Sequence, residues 1–238
     1  MRKREWIRCS DPERMIDDLW KVGSLQRLDE HRSRTDKIIS DRSFILFVLM
    51  AGKRLWTDAG FDILRPAVGL AWRRAEHGAS NEEVARQLEE LRRIYYEEAI
   101  PTGNWQLARL VKVLTLLFKE PGSAARTLVF PHPFGDPPGD QPVRLLSQAE
   151  LTDSCRLIRE IFGDPSSHLV ILEPAWLTFD VRMIAAGAYE DQAFNRLPIL
   201  ADALQDAGCD NEDILSHLRA EGPHVRGCWA LDLILGKS

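Results

Sequence analysis

Apolar residues recur along this chain at intervals of three and four positions, the spacing of one face of an α-helix. Capping boxes of the Ser-x-x-Glu type begin at Ser10, Ser80 and Ser147, and glycine or proline follows most of the apolar segments. The pattern therefore predicts helices over residues 11–22, 41–56, 61–77, 81–99, 104–119, 148–162, 179–189, 197–207, 211–219 and 226–235. Asp210 is the predicted cap of the segment 211–219.

Most of these segments have one apolar face, but residues 41–56 are apolar almost all round, so this segment is predicted to be a buried central helix. Only residues 168–172 (HLVIL) have the composition of a strand, and one strand cannot form a sheet. No repeat with a period of about 20 to 50 residues is found. The predicted fold class is all-α, either a helical bundle or a HEAT-like stack of helix pairs.

The composition changes sharply after residue 130. Residues 131–142 (PHPFGDPPGDQP) contain five prolines and two glycines, which cannot continue a helix. The sequence therefore predicts an N-terminal helical region over 1–130, a loop or linker over 131–144, and a C-terminal helical region over 145–238.

Composition and charge narrow the functional classes. Hydrophobic residues make up 45% of the 238 residues, enough for a packed core. The net charge of −5 argues against a dedicated nucleic-acid or anionic-membrane binder. Four cysteines are too few for a disulfide framework, and neither a secretory signal nor an apolar run of membrane-spanning length (~20 residues) is found. We therefore expect a cytoplasmic protein with reduced thiols and no membrane association.

Distinctive motifs lie at both ends of the chain: EWIRCSDPERMIDDL at 5–19 and AFNRLPILADALQDAGCDNEDILSHLRAEGPHVRGCWALDLILGK at 193–237. CRLIREIFGDP at 155–165 and PAWLT at 174–178 accompany the second. Together they resemble an uncharacterised bacterial family of paralogues best known from planctomycete genomes, whose members begin with a Glu-Trp-Leu-x-Cys-x-Asp-Pro-x-x-Met-Leu motif. Where family members tend to carry a cysteine-rich run, this chain has VLMAGKR at 48–54. The resemblance implies a cytoplasmic bacterial protein and no particular reaction.

One set of ligand-type residues stands out near the C-terminus: Cys209, His217, His224 and Cys228, spaced Cys-x7-His-x6-His-x3-Cys. Zinc prefers four such ligands, and His224 and Cys228 would share a face if both lay on the last helix. The spacing differs from the short Cys-x2-Cys pairs of common zinc sites. We therefore favour a structural interpretation, with buried cysteines and histidines at helix ends and turns, and predict no metal and no cofactor. A metal site formed by the four residues is the alternative.

No nucleophile elbow, phosphate-binding loop or dinucleotide-binding motif is found, so the sequence favours a non-enzymatic protein–protein interaction or regulatory module with an unidentified protein partner. Its preferred partner-binding or anion-binding residues are Arg219, His224 and Arg226, around the start of the last predicted helix. A tight turn that merely connects two helices is the alternative there. The rival function is a metal-binding or thiol-dependent enzyme that uses the C-terminal cysteines and histidines.

Overall fold

The computed structural model describes residues 2–26, 40–130, 145–165, 170 and 172–237. Within these ranges the chain forms α-helices, short 3-10 and π-helical turns, and no strand, which confirms the predicted all-α class. None of the described helices combines the length and the apolar character needed to cross a membrane. The helices are α1 (Lys3–Arg8), α2 (Pro12–Gln26), α3 (Asp41–Ala51), α4 (Lys53–Thr57), α5 (Arg65–Glu76), α6 (Asn81–Arg93), α7 (Trp105–Lys119), α8 (Pro121–Val129), α9 (Gln148–Phe162), α10 (Phe179–Glu190), α11 (Leu197–Asp206), α12 (Glu212–Arg219) and α13 (Trp229–Leu235).

The chain divides into two compact units. The terminal unit comprises Met1–Cys9, Asp18–Ser40 and Arg156–Ser238, and the central unit comprises Ser10–Asp17 and Asp41–Cys155, counting in each only the described residues. Two of the boundaries between the units, those after Asp17 and after Cys155, fall inside α2 and α9. The predicted linker, 131–144, and most of the predicted extended segment at 168–172 lie outside the described residues.

The central unit is built around α3. Its six consecutive residues from Phe44 to Leu49 are all buried, which confirms the predicted buried helix. Helices α5 and α8 pack against it, and α7 packs against α8. A well-buried ion pair between Arg42 and Glu76, 3.2 Å apart, joins the start of α3 to the end of α5. The core around α3 is therefore mainly apolar, and the buried Arg109 of α7 is accommodated by donating to backbone carbonyls at the end of α8.

The predicted helix over 41–56 is too long, because the chain breaks at Gly52. The indole of Trp56 folds back onto Gly52, where an added Cβ would lie 2.7 Å from the indole nitrogen. The indole N–H donates to the carbonyl of Val48 at 3.4 Å. Glycine therefore permits a close approach that ends α3 and starts α4.

Two helices, α8 and α1, were not predicted. Pro121 and Gly122 suggested the end of a helix, yet Pro121 is the first residue of α8, where its lack of an N–H and its fixed φ are tolerated. The short helix α1 has too few apolar positions to show a period.

The predicted capping boxes at Ser80 and Ser147 are confirmed. The Ser80 hydroxyl accepts from the Glu83 N–H at 3.2 Å, and the Glu83 carboxylate accepts from the Ser80 N–H at 3.0 Å. Ser147 and Glu150 make the same reciprocal pair. At the predicted box that begins at Ser10, the capping residue is Asp11 instead. Its carboxylate accepts hydrogen bonds from the N–H groups of Glu13 and Arg14 at the start of α2. Aspartate competes effectively with serine for this position.

In the terminal unit, α10 to α13 pack around a shared apolar core, and the N-terminal segment is attached to the same unit. Lys3 forms an ion pair with Asp213 at 2.6 Å. The guanidinium of Arg159 donates to the backbone carbonyls of Trp6 and Cys9. These contacts fix the last turn of α9. The apolar core includes Val181, Ala185, Leu197, Leu200, Leu204, Ile214, Leu218, Leu231 and Ile234.

Candidate metal centre

Four side chains of the terminal unit with metal-ligand chemistry converge on one point. They are Glu160, His217, His224 and Cys228, and one donor atom of each lies within 4.8 Å of the donor atoms of the others. Among the residues that the structure describes, this is the one such group of histidine, cysteine and acidic side chains. All four cysteines are thiols, as the sequence predicted.

The shortest contacts link the four donors in a chain. His224 Nδ1 lies 3.0 Å from one Glu160 carboxylate oxygen, and His217 Nε2 lies 3.5 Å from the other. His217 Nε2 also lies 3.2 Å from Cys228 Sγ. A tetrahedron with the usual zinc bond lengths of ~2.0–2.3 Å has edges of ~3.3–3.8 Å. The three contacts, which involve both Glu160 oxygens, are close to such edges, and the remaining donor separations are within 4.8 Å, so a bound ion would draw the side chains closer together.

The group is largely shielded from water. The side chains of Glu160 and His224 are 5% and 7% exposed, and that of His217 is 18% exposed. Cys228 is fully buried. A carboxylate held this deeply needs compensating partners, since an uncompensated buried charge is costly. The two histidines and the thiol supply them.

Each donor is positioned by a different local feature. Glu160 lies in the last turn of α9, which the Arg159 contacts hold in place. His217 lies in the last turn of α12, whose apolar residues are buried in the core and whose cap is Asn211. Cys228 is the N-cap residue of α13 and follows Gly227, whose φ of 90° is a left-handed conformation that favours glycine.

His224 lies in the connection between α12 and α13 and is fixed by both ring nitrogens. Its Nδ1 faces Glu160, while its Nε2 lies 3.0 Å from the backbone carbonyl of Ala220. Metal-bound histidines usually donate their second ring N–H to a carbonyl or carboxylate, which fixes the tautomer and the ring orientation. The Ala220 contact has this geometry.

The electrostatics of the group follow from burial and from the Glu160 carboxylate. The hydrogen bond to Glu160 raises the pKa of His224 above its ordinary value. Burial, reinforced by the nearby Glu160 charge, raises the pKa of the Cys228 thiol well above its ordinary value. A metal cation at the centre would reverse this effect, because it stabilises the thiolate and the carboxylate together.

Three of the four residues singled out from the sequence are in this group, and Cys209 is not. Cys209 follows the end of α11, where its backbone N–H donates to Leu204 and burial raises the pKa of its thiol. The predicted helix over 226–235 begins only at Trp229, so His224 and Cys228 do not share a helix face. The predicted cap Asp210 is likewise replaced by Asn211.

The fourth donor, Glu160, was missed from the sequence. It lies about 60 residues before His217, and the order of residues gives no indication that they meet. The available signal was a carboxylate flanked by Ile158 and Ile161 in an apolar helical segment. That pattern does not distinguish a buried acid from one on an exposed face.

The predicted partner-binding or anion-binding residues all make contacts within the terminal unit. Arg219 forms an ion pair with Asp202 at 2.7 Å and also donates to Gln205. The Arg226 guanidinium lies over the ring of Tyr189, 5.3 Å from its centroid. His224 faces Glu160. These contacts engage the three side chains in holding the unit together.

Comparison of the chain with protein-family models, with curated proteins and with solved structures finds no match. The resemblance of its two ends to the planctomycete family therefore stays a prediction. The fold and the site define a helical protein with a cluster of side chains of the types that bind metals.

Proposed function

We propose that this is a zinc-binding protein whose terminal unit is held together by a Glu-His-His-Cys site. The observation that carries the proposal is the convergence of Glu160, His217, His224 and Cys228, with their donor atoms within 4.8 Å of one another in a shielded position. This proposal takes the alternative that the sequence left open, with Glu160 in place of Cys209.

The donor set favours zinc over other common metals. Two imidazoles, one thiolate and one carboxylate are all ligands that zinc accepts, and four of them complete its usual coordination number. Calcium and magnesium require mainly oxygen ligands, and iron–sulfur clusters require several cysteines. Cobalt(II) accepts the same ligands as zinc and can serve as a spectroscopic substitute.

The number of protein ligands favours a structural rather than a catalytic role for the metal. Catalytic zinc sites keep one coordination position for water or substrate, whereas four protein donors leave none. The ion would connect α9, α12 and the start of α13. A structural zinc suits the non-enzymatic interaction or regulatory role expected from the sequence, which stays a prediction.

The test is metal binding by the purified full-length protein. We expect one zinc per chain by elemental analysis, and a cobalt(II) complex with the strong visible absorption of tetrahedral coordination and a thiolate-to-cobalt charge-transfer band. The variant Cys228→Ser should lose the charge-transfer band, because it removes the only sulfur donor of the group.

Cys209→Ser is the matched control, since Cys209 is a second buried cysteine of the same unit that lies outside the group. It should keep both the stoichiometry and the charge-transfer band. A cobalt spectrum without thiolate ligation, less than stoichiometric zinc after saturation and desalting, or equal losses in the two cysteine variants would each contradict the proposal.

A further inference from the structure

The central unit has an open groove that is separate in sequence and chemistry from the candidate metal centre. It lies between α6 and α7 and has a volume of about 720 Å³. The π-helical turn Ile94–Ala99, which continues α6, contributes two tyrosines to it. The lining combines aliphatic residues with aromatic and basic ones, the latter including Arg92, Tyr95, Tyr96, Trp105, Lys112 and Lys119.

Helix α6 leaves much of its apolar stripe uncovered along this groove. Val84, Leu88, Leu91 and Tyr95 follow helical spacing, yet Leu91 is the one fully buried member of the stripe and the others remain partly exposed. The neighbouring Tyr96 is 63% exposed. An amphipathic helix normally buries such a stripe against another element. The groove therefore offers apolar surface that the described residues of the unit do not cover.

Basic residues outnumber acidic ones in the lining of the groove, although the chain is negatively charged overall. Three exposed lining residues, Arg92, Lys112 and Lys119, are cationic and one, Glu89, is a carboxylate, whereas the whole chain has a net charge of −5. The fourth lining cation, Arg109, is buried and donates to backbone carbonyls. Arg92 and Lys119 are exposed, and the pair between Arg92 and Glu89 is loose, at 3.7 Å. Local charge of the opposite sign to the whole molecule attracts a complementary partner.

From these features we propose that the groove binds an amphipathic α-helix of a partner protein, one with bulky apolar residues on one face and aspartates or glutamates beside them. The fifteen residues of α7 give the groove a length of about 22 Å, which matches a helix of about four turns. Apolar side chains at i, i+3, i+4 and i+7 would fill the aromatic floor, and the flanking acids would face Arg92 and Lys119.

The charges beside the groove favour a protein helix over a nucleic acid. Glu90 and Glu97 lie on the adjoining face of α6 and its π-helical turn, where both form ion pairs with Arg93. Together with Glu89 they place three carboxylates on the α6 side of the groove, whereas the α7 side carries two lysines, so a phosphate backbone filling the groove would be repelled along one side. An amphipathic partner helix can place its acidic side chains along one side only, next to the basic residues of the groove.

The test selects ligands from a displayed library of helix-forming peptides of about 16 residues, using the intact full-length protein. We expect enrichment of peptides with apolar residues at helical spacing and acids beside them. A synthetic peptide from this set should gain helicity on binding. The double variant Arg92→Glu/Lys119→Glu should weaken its binding about ten-fold or more, and Tyr96→Ala should weaken it through lost apolar contact.

The matched control is Lys53→Glu/Arg65→Glu in the same unit. Arg65 pairs with Asp62 three residues away, as Arg92 pairs with Glu89, and both control residues are exposed away from the groove. This variant should leave peptide affinity unchanged. The proposal fails if selected peptides lack acids, bind both double variants equally, or are not obtained. It also fails if a short oligouridine binds through Arg92 and Lys119, or if the groove mediates self-association that Tyr96→Ala abolishes.

Discussion

The central unit and the terminal unit organise their interiors in opposite ways. In the central unit the buried residues around α3 are almost all apolar, and polar contacts such as the pair between Arg42 and Glu76 are scattered singly through the unit. In the terminal unit an apolar core of comparable kind surrounds a polar cluster of four ligand-type side chains. Both units bury polar groups, but those of the central unit, Arg109, Thr127 and Ser154, donate to backbone carbonyls of the same unit, whereas the terminal unit gathers four ligand-type side chains at one point.

The largest expected effect separates the two units by their response to zinc. At a free zinc concentration about a thousand times the dissociation constant, the metal should stabilise the terminal unit by about 4 kcal/mol. Hydrogen exchange of α12 and α13 should slow on adding zinc, and exchange of α3 should not. Equal slowing in both regions, or none in α12 and α13, would remove the basis of the comparison.

The second effect tests the apolar core of the central unit. Leu114→Ala should lower the free energy of unfolding by about 3 kcal/mol, because Leu114 is fully buried and its truncation leaves a cavity. Urea unfolding with and without zinc should give the same loss. Leu116→Ala, on the same helix but partly exposed, should cost clearly less. A zinc-dependent cost at Leu114 would contradict the contrast between the units.

A smaller effect concerns the turn that presents Cys228. Gly227→Ala should destabilise the protein by about 1–2 kcal/mol, because the backbone there has a φ of 90°. Gly69→Ala is the control, since Gly69 lies in α5 with no atom near the position of an added Cβ, and alanine should stabilise that helix. Thermal unfolding of the two variants measures both changes. If the Gly227→Ala and Gly69→Ala variants had equal stabilities, the turn before Cys228 would not be constrained to the left-handed conformation.

The smallest expected effect is a pH dependence of the stability of the central unit, caused by the Glu83 carboxylate. The hydrogen bond from the Ser80 N–H, and then the Arg73 pair, lower the pKa of Glu83 from 4.5 to about 2. A lowered folded-state pKa means that the ionised group stabilises the fold above about pH 4.5, and that this contribution is lost as the pH falls toward 2. Glu83→Gln should therefore be slightly less stable than the wild type at neutral pH.

The difference between wild type and Glu83→Gln should disappear in acid, because protonation removes the same charge. Urea unfolding at several pH values measures it, and Glu82→Gln, at an exposed neighbouring position, is the control. A difference that grew on acidification would contradict the assigned direction of the pKa shift.

The helical class of the fold could be predicted because apolar spacing and capping residues are local signals. Ser80 and Glu83 lie three residues apart, so their pairing is visible in the sequence. The break at Gly52 was not visible, because it depends on where the indole of Trp56 packs. The π-helical turn after α6 was also missed, since residues 81–99 have one continuous helical pattern.

The types of residue in the candidate site could be predicted from the sequence, but which of them come together could not. His217, His224 and Cys228 could be singled out because few other residue types bind zinc. Cys209 was grouped with them because it is near in sequence, whereas the side chain that joins them, Glu160, comes from α9. Local patterns cannot indicate which distant helix supplies the last donor.

Glu160 is far in sequence from the other three donors, and this separation affects how well an unfolded chain could bind the same metal. The other three donors span only a short stretch of sequence, so an unfolded polypeptide could still gather them around an ion. Recruiting Glu160 in that state would require closing a loop of about 60 residues, at an entropic cost of about 4 kcal/mol. If the proposed zinc site forms, the carboxylate would thus make complete coordination a property of the native state, with an affinity advantage of about a thousand-fold over the same four donors in a denatured chain.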